Sequence, residues 1–76
     1  MSLEDRLFQV RRARCVERLI RIGQSPDLAE RWCDAWEREA EGRGRAHTGE
    51  FWEHGQLWID AQIAMRRTPD ALLARR

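Results

Sequence analysis

The chain has 76 residues, enough for one small domain, and its 14 basic and 13 acidic side chains leave a formal net charge of +1. This balance argues against the strongly basic type of domain that typically binds nucleic acid. No stretch approaches the roughly 20 apolar residues of a transmembrane helix, and no apolar run follows the charged N-terminus as in a signal peptide. We therefore expect a cytoplasmic protein with no membrane partner.

Residue usage favours helix over strand. Ala, Leu, Arg and Glu dominate, Val is scarce and Tyr is absent. Every basic residue is Arg, and Lys and Asn are missing altogether. Since Lys, Asn and Tyr have AT-rich codons, their joint absence is typical of a high-GC genome, and we expect a bacterial source. The exclusive use of Arg is therefore not evidence of selection for phosphate binding.

Serine residues begin the first two predicted helices. Ser2 is a good N-cap for a helix over 3–22, and Ser25, followed by proline, begins a second helix over 26–41. Gly23 follows the first helix, as glycine often does at a helix C-terminus. The first helix is thus bounded at both ends, and the second has a clear start.

The very short connection between these helices predicts a hairpin or a corner. In a hairpin centred near residue 24, Cys15 and Cys33 are equidistant from the turn and both face inward. In a cytoplasmic protein we expect these two thiols to be reduced, although a disulfide between them is sterically conceivable.

Two further helices are predicted after a glycine-rich loop. Thr48 is the expected N-cap of a third helix over 49–67. Thr68 and Pro69 then end that helix and begin a short fourth helix over about 69–75. The sequence therefore predicts an all-α fold: a small bundle of three main helices and a short C-terminal one, in a single domain.

The third predicted helix is apolar most of the way round, which makes it the most informative segment. One stripe contains Phe51, Trp58, Ala61 and Met65, and a second contains Trp52, Ile59 and Ile63. Such a helix is either central in its fold or turned partly toward a partner. We place this helix at the centre of the bundle. Its second stripe is covered either by Leu72 and Leu73 of the fourth helix or by another protein.

These patterns favour a non-enzymatic protein–protein interaction module, a homodimer or a subunit that binds a larger protein in an accessory, assembly or inhibitory role. The interface would combine the second stripe with apolar residues of the first helix. The expected partner-binding residues are Trp52, Ile59, Ile63, Leu3, Leu7 and Val10.

Charge is unevenly distributed, which supports an alternative. Residues 1–23 carry six Arg against three acids, whereas residues 24–41 carry two Arg against six acids. This suggests complementarity within the chain or between copies. The alternative function is a nucleic-acid-associated protein that uses an Arg-rich surface. Its contact residues, which could also bind other anions, would be Arg11, Arg14, Arg18, Arg43 and Arg45.

No motif specifies a reaction, a metal or another cofactor. Two Cys and two His are present, but no Cys-x-x-Cys or closely spaced His pair supplies the usual ligands of zinc. Glu50 and His54 are four residues apart, a spacing more typical of a helix-stabilising pair than of an acid–base couple. We therefore expect neither an enzyme nor a metal site.

Overall fold

A computed structural model describes residues 2–44 and 49–74 of the chain. These residues form four helices and no strand, so the predicted all-α fold is confirmed. The helices are α1 (Leu3–Arg21), α2 (Pro26–Gly42), α3 (Phe51–Ala64) and α4 (Pro69–Leu73). Within the described ranges, each helix is too short or too polar to span a lipid bilayer.

Side-chain caps begin three of the four helices, as predicted. The hydroxyl oxygen of Ser2 accepts a hydrogen bond from the backbone N–H of Asp5 at 3.2 Å, and Ser25 repeats this bond at the start of α2. Thr68 caps α4 in the same manner. These bonds satisfy N–H groups that have no partner within a helix. The predicted cap Thr48 lies outside the described residues, and α3 begins at Phe51 rather than at residue 49.

Gly23 ends α1 in a Schellman motif. Its φ angle is +108°, a left-handed conformation that glycine adopts without steric cost. The Gly23 N–H donates to the Ile20 carbonyl at 3.1 Å, and the Gln24 N–H donates to the Leu19 carbonyl at 3.0 Å. The motif reverses the chain within a few residues and starts α2 alongside α1.

The central helix is α2, so the prediction that the third helix occupies the centre is wrong. α2 contacts α1, α3 and α4, whereas α3 packs against α1 and α2 only. Three small residues, Ala29, Ala35 and Ala40, are fully or almost fully buried along α2 and let neighbouring helices approach closely. The buried apolar core consists of Cys15, Leu19, Ala29, Trp32, Cys33, Ala35, Trp36, Ala40, Phe51, Trp52 and Ile59.

Trp52 and Ile59, which were expected in a partner-binding interface, belong to the core instead. Trp52 is 2% exposed and Ile59 is fully buried, while Ile63 is partly buried and packs against the core. Phe8 of α1 covers this side of α3, with its ring centroid 5.4 Å from that of Trp52. The side chain packed on Trp52 therefore comes from α1 rather than from α4.

Candidate interaction surfaces

Three of the exposed apolar side chains on α1 lie in its N-terminal half and form what we call the apolar ridge: Leu3, Leu7 and Val10. Their exposed fractions are 71%, 40% and 47%. They are spaced four and three residues apart, so they lie on one face of α1. This is the part of the predicted partner-binding set that the fold leaves accessible.

The other exposed apolar side chains are more scattered. Ile20 lies in the last turn of α1 and Ile22 directly follows that helix, while Leu57 lies on α3 and Met65 directly follows it. Single exposed apolar residues are normal on a protein surface and need no special explanation. Among the large exposed apolar side chains of the described residues, only those of the ridge form a set of three spaced three or four residues apart.

The five arginines predicted to contact anions do not act as one free basic surface. Arg18 forms an ion pair with Asp60 of α3, and Arg43 pairs with Glu39 at 2.8 Å. Arg45 lies outside the described residues. No ion pair joins Arg11 or Arg14 to a carboxylate in the described part of the chain. Nucleic-acid binding through this set stays a prediction.

Arg11 and Arg14 line a small cleft between α1 and the start of α3, which we call the arginine cleft. Its volume is about 180 Å³. A guanidinium nitrogen of Arg11 lies near Gly49, 3.7 Å from where a Cβ would be. The lining residues are Arg11, Arg14, Gly49, Trp52, Glu53 and Gln56. The indole nitrogen of Trp52 is buried and has no hydrogen-bond partner in the part of the chain that the structure describes.

A second cleft, of about 350 Å³, lies where α2 meets Trp58 and Leu72. Its two arginines already have partners. Arg38 donates to the Leu73 carbonyl, and Arg43 is held by Glu39. The guanidinium groups of Arg38 and Arg43 are thus engaged in contacts within the chain. The arginine cleft is therefore the better candidate for a ligand site.

Sequence reasoning missed the role of Arg12. Its guanidinium contacts three carboxylates along one face of α2: Glu30 at 2.6 Å, Asp34 at 2.7 Å and Glu37 at 3.6 Å. Burial works to lower the pKa of Arg12, but the hydrogen bond to Glu30 and the nearby charges raise it overall. The spacing of Glu30, Asp34 and Glu37, which places them on one face of α2, was the sequence signal for this contact. The contacts confirm charge complementarity within the chain.

The two cysteines meet across α1 and α2, as the hairpin predicted. Both are free thiols with no exposed surface. A hydrogen bond to Cys15 raises the pKa of Cys33 strongly, and burial acts in the same direction. A buried thiol with a raised pKa is a poor nucleophile, because the thiolate is the reactive form.

The histidines do not assemble a metal site in the described residues. No group of three potential ligands occurs in residues 2–44 and 49–74, and His47 lies outside them. His54 is 3.9 Å from Glu50 on the exposed side of α3, the helical pair expected from the sequence.

Comparison with models of protein families, with curated proteins and with solved structures gives no match for this chain.

Proposed function

We propose that this protein is a non-enzymatic interaction module that self-associates through the apolar ridge. The main support is that Leu3, Leu7 and Val10 remain exposed on one face of α1, whereas the core residues are buried within the fold. Removing such a face from water is the usual driving force of protein association. We place the protein in the cytoplasm, as an accessory, assembly or inhibitory subunit.

A second copy of the chain suits the ridge because α1 is self-complementary in charge. Acidic residues Glu4 and Asp5 occupy its first turn, whereas Arg11 and Arg14 follow the ridge. Antiparallel packing of two α1 helices about an axis near Leu7 brings each acidic turn toward the arginines of the other copy. Unlike charges then flank the apolar contact, which favours this orientation over the parallel one.

The expected dimer is weak. Three apolar side chains per copy, with their neighbours, bury less than the roughly 1,200 Å² of a standard stable interface. We therefore expect a reversible equilibrium at micromolar or higher concentrations rather than a permanent dimer.

A matched pair of variants tests the proposal. Leu3 and Leu57 are 71% and 70% exposed, on α1 and α3 respectively. Sedimentation velocity over a wide concentration range should show that Leu3→Glu weakens association and that Leu57→Glu does not. Equal behaviour of the two variants, or a monomeric wild type at every concentration, contradicts the proposal. Circular dichroism checks that both variants remain folded.

Charged substitutions of Trp52 or Ile59 do not test the interface. Both side chains belong to the core, so Trp52→Glu would bury a charge and unfold the chain. A loss of binding in such a variant would result from unfolding and would not show that Trp52 lies in an interface. Variants of the ridge avoid this ambiguity because their side chains are already in water.

A further inference from the structure

Trp52 lines the arginine cleft beside two cationic side chains, and its buried indole N–H is an unsatisfied hydrogen-bond donor among the described residues. Trp52 is 2% exposed, and its indole N–H has no hydrogen-bond partner within residues 2–44 and 49–74. Its ring packs against Phe8 and Phe51, with centroids 5.4 and 5.3 Å away. The indole nitrogen is the only polar atom of a side chain that is otherwise held by aromatic neighbours.

Other buried indoles of the core are satisfied. The N–H of Trp36 donates to the Phe51 carbonyl at 3.1 Å, and that of Trp32 donates to the Gln24 side chain at 3.3 Å. Buried polar groups in native proteins nearly always have a partner, so an exception calls for an explanation. At Trp52, the unused donor belongs to a residue that lines a cleft with Arg11 and Arg14.

We propose that the arginine cleft binds one carboxylate group, held by Arg11, Arg14 and the indole N–H of Trp52. Guanidinium groups present paired N–H donors that match the two oxygens of a carboxylate. In the described ranges, no carboxylate pairs with either arginine, so their donors are available. The site goes beyond self-association and does not depend on it.

Local charge favours a carboxylate over a phosphate. The two arginines supply two positive charges, and Glu53, which also lines the cleft, supplies one negative charge. The remaining single positive charge balances a monovalent carboxylate. A doubly charged phosphate would leave an excess negative charge next to Glu53. The volume of about 180 Å³ suits one small group rather than a large ligand.

The test follows the indole N–H resonances by ¹H–¹⁵N NMR while acetate replaces chloride at constant ionic strength. The Trp52 resonance is assigned from its loss in Trp52→Phe. We expect it to move saturably with acetate in the wild type and in Arg6→Gln, a control that removes an exposed charge from the same helix. In Arg11→Gln or Arg14→Gln, acetate affinity should fall about tenfold or more.

Two outcomes rule out a ligand held by Arg11, Arg14 and Trp52, and a third rules out a carboxylate as that ligand. One is a Trp52 resonance that acetate leaves unmoved while the protein is folded, as judged by the dispersed indole signals of the core. The other is an equal response in the wild type, Arg11→Gln and Arg14→Gln. Inorganic phosphate that binds more tightly than acetate at the same ionic strength contradicts the assignment to a carboxylate.

The carboxylate has two possible sources, a free acid or the acidic first turn of a second copy. A dilution series without acetate separates them. If the Trp52 resonance moves with protein concentration in the wild type but not in Glu4→Gln, the second copy supplies the group. If the Trp52 resonance moves with acetate but not with protein concentration, the ligand is a free acid. That result supports the carboxylate site even when the chain does not self-associate.

Discussion

The indole ring of Trp36 lies directly on the backbone of α3 at Gly55. A Cβ at this position would be 2.5 Å from two ring atoms, closer than any real contact allows. The same ring donates its N–H to the Phe51 carbonyl, one turn earlier in α3. Glycine inside a helix normally costs about 1 kcal/mol relative to alanine, so its use here reflects the close approach of α2 and α3.

Gly55→Ala should therefore destabilise the protein. The added methyl must displace a large buried ring, and overpacking of this kind typically costs about 1–3 kcal/mol. The better helix propensity of alanine offsets part of this, so we expect a net loss of about 1–2 kcal/mol in the free energy of unfolding. Urea denaturation followed by circular dichroism measures it.

Gly42→Ala is the matched control. Gly42 is the last residue of α2, and a Cβ there meets nothing within 4 Å. This variant should be neutral or more stable by up to about 1 kcal/mol. A stabilising Gly55→Ala would mean that Trp36 does not hold α3 in the way described.

Arg66→Gly should stabilise the protein. Arg66 has a φ angle of +58°, in the left-handed region that glycine adopts freely. It ends α3 in a Schellman motif, in which the Arg67 N–H donates to the Gln62 carbonyl at 3.0 Å. Relief of the left-handed strain is worth about 1 kcal/mol. Arg66→Ala removes the same charge but keeps the strain, so thermal unfolding should show no gain for that variant.

Arg12→Gln should destabilise the protein by about 2 kcal/mol, because hydrogen bonds to charged groups are lost and three carboxylates then face one another. Added salt should reduce this loss, since it screens the repulsion among Glu30, Asp34 and Glu37. Arg6→Gln is the control and should change stability by less than about 0.5 kcal/mol. Equal effects of the two variants at low salt would contradict the role assigned to Arg12.

Stability should fall at alkaline pH because of the buried Cys33 thiol. The raised pKa of Cys33 means that the folded state keeps a proton that the unfolded state loses above its ordinary pKa of about 9. This contribution is fully present below pH 9 and declines by about 1.4 kcal/mol per pH unit above it. The chain has no Lys and no Tyr, so few other groups titrate in this range.

Denaturant unfolding at several values between pH 8 and pH 11 checks this slope. The double variant Cys15→Ala/Cys33→Ala should start from a lower stability, because small cavities form, but should lose little more as the pH rises. An equally steep decline in the double variant would assign the alkaline instability to another group.

Local chemistry made much of this fold predictable. Ser2, Ser25 and Thr68 each cap the helix that follows them, and Gly23 ends α1 where expected. The short connection after Gly23 was enough to bring the two thiols together. Capping and turn geometry depend on neighbouring residues, so they can be read from a short stretch of chain.

The packing around α3 was less predictable, because it depends on how helices cross. An apolar stripe predicts that a helix face is buried, but not which element covers it. The ring that packs on Trp52 belongs to Phe8, which is distant in the sequence. The end of α3 was also misplaced. Arg66 takes a conformation usually reserved for glycine, and the extended Thr68 before Pro69 leaves no room for a longer helix.

Only one half of the interface expected from the sequence lies on the surface. Leu3, Leu7 and Val10 lie on the face expected for partner binding, but the other half of the expected interface is core. The unsatisfied indole of Trp52 could not be inferred at all, since hydrogen-bond satisfaction depends on the full three-dimensional surroundings of the side chain.

The most direct test of self-association is sedimentation equilibrium of the wild type over a hundredfold range of concentration. The chain has a mass of 9.0 kDa. We expect the weight-average mass to rise above this value as concentration increases, and to rise less in Leu3→Glu. A mass that stays at 9.0 kDa throughout would contradict self-association through the apolar ridge.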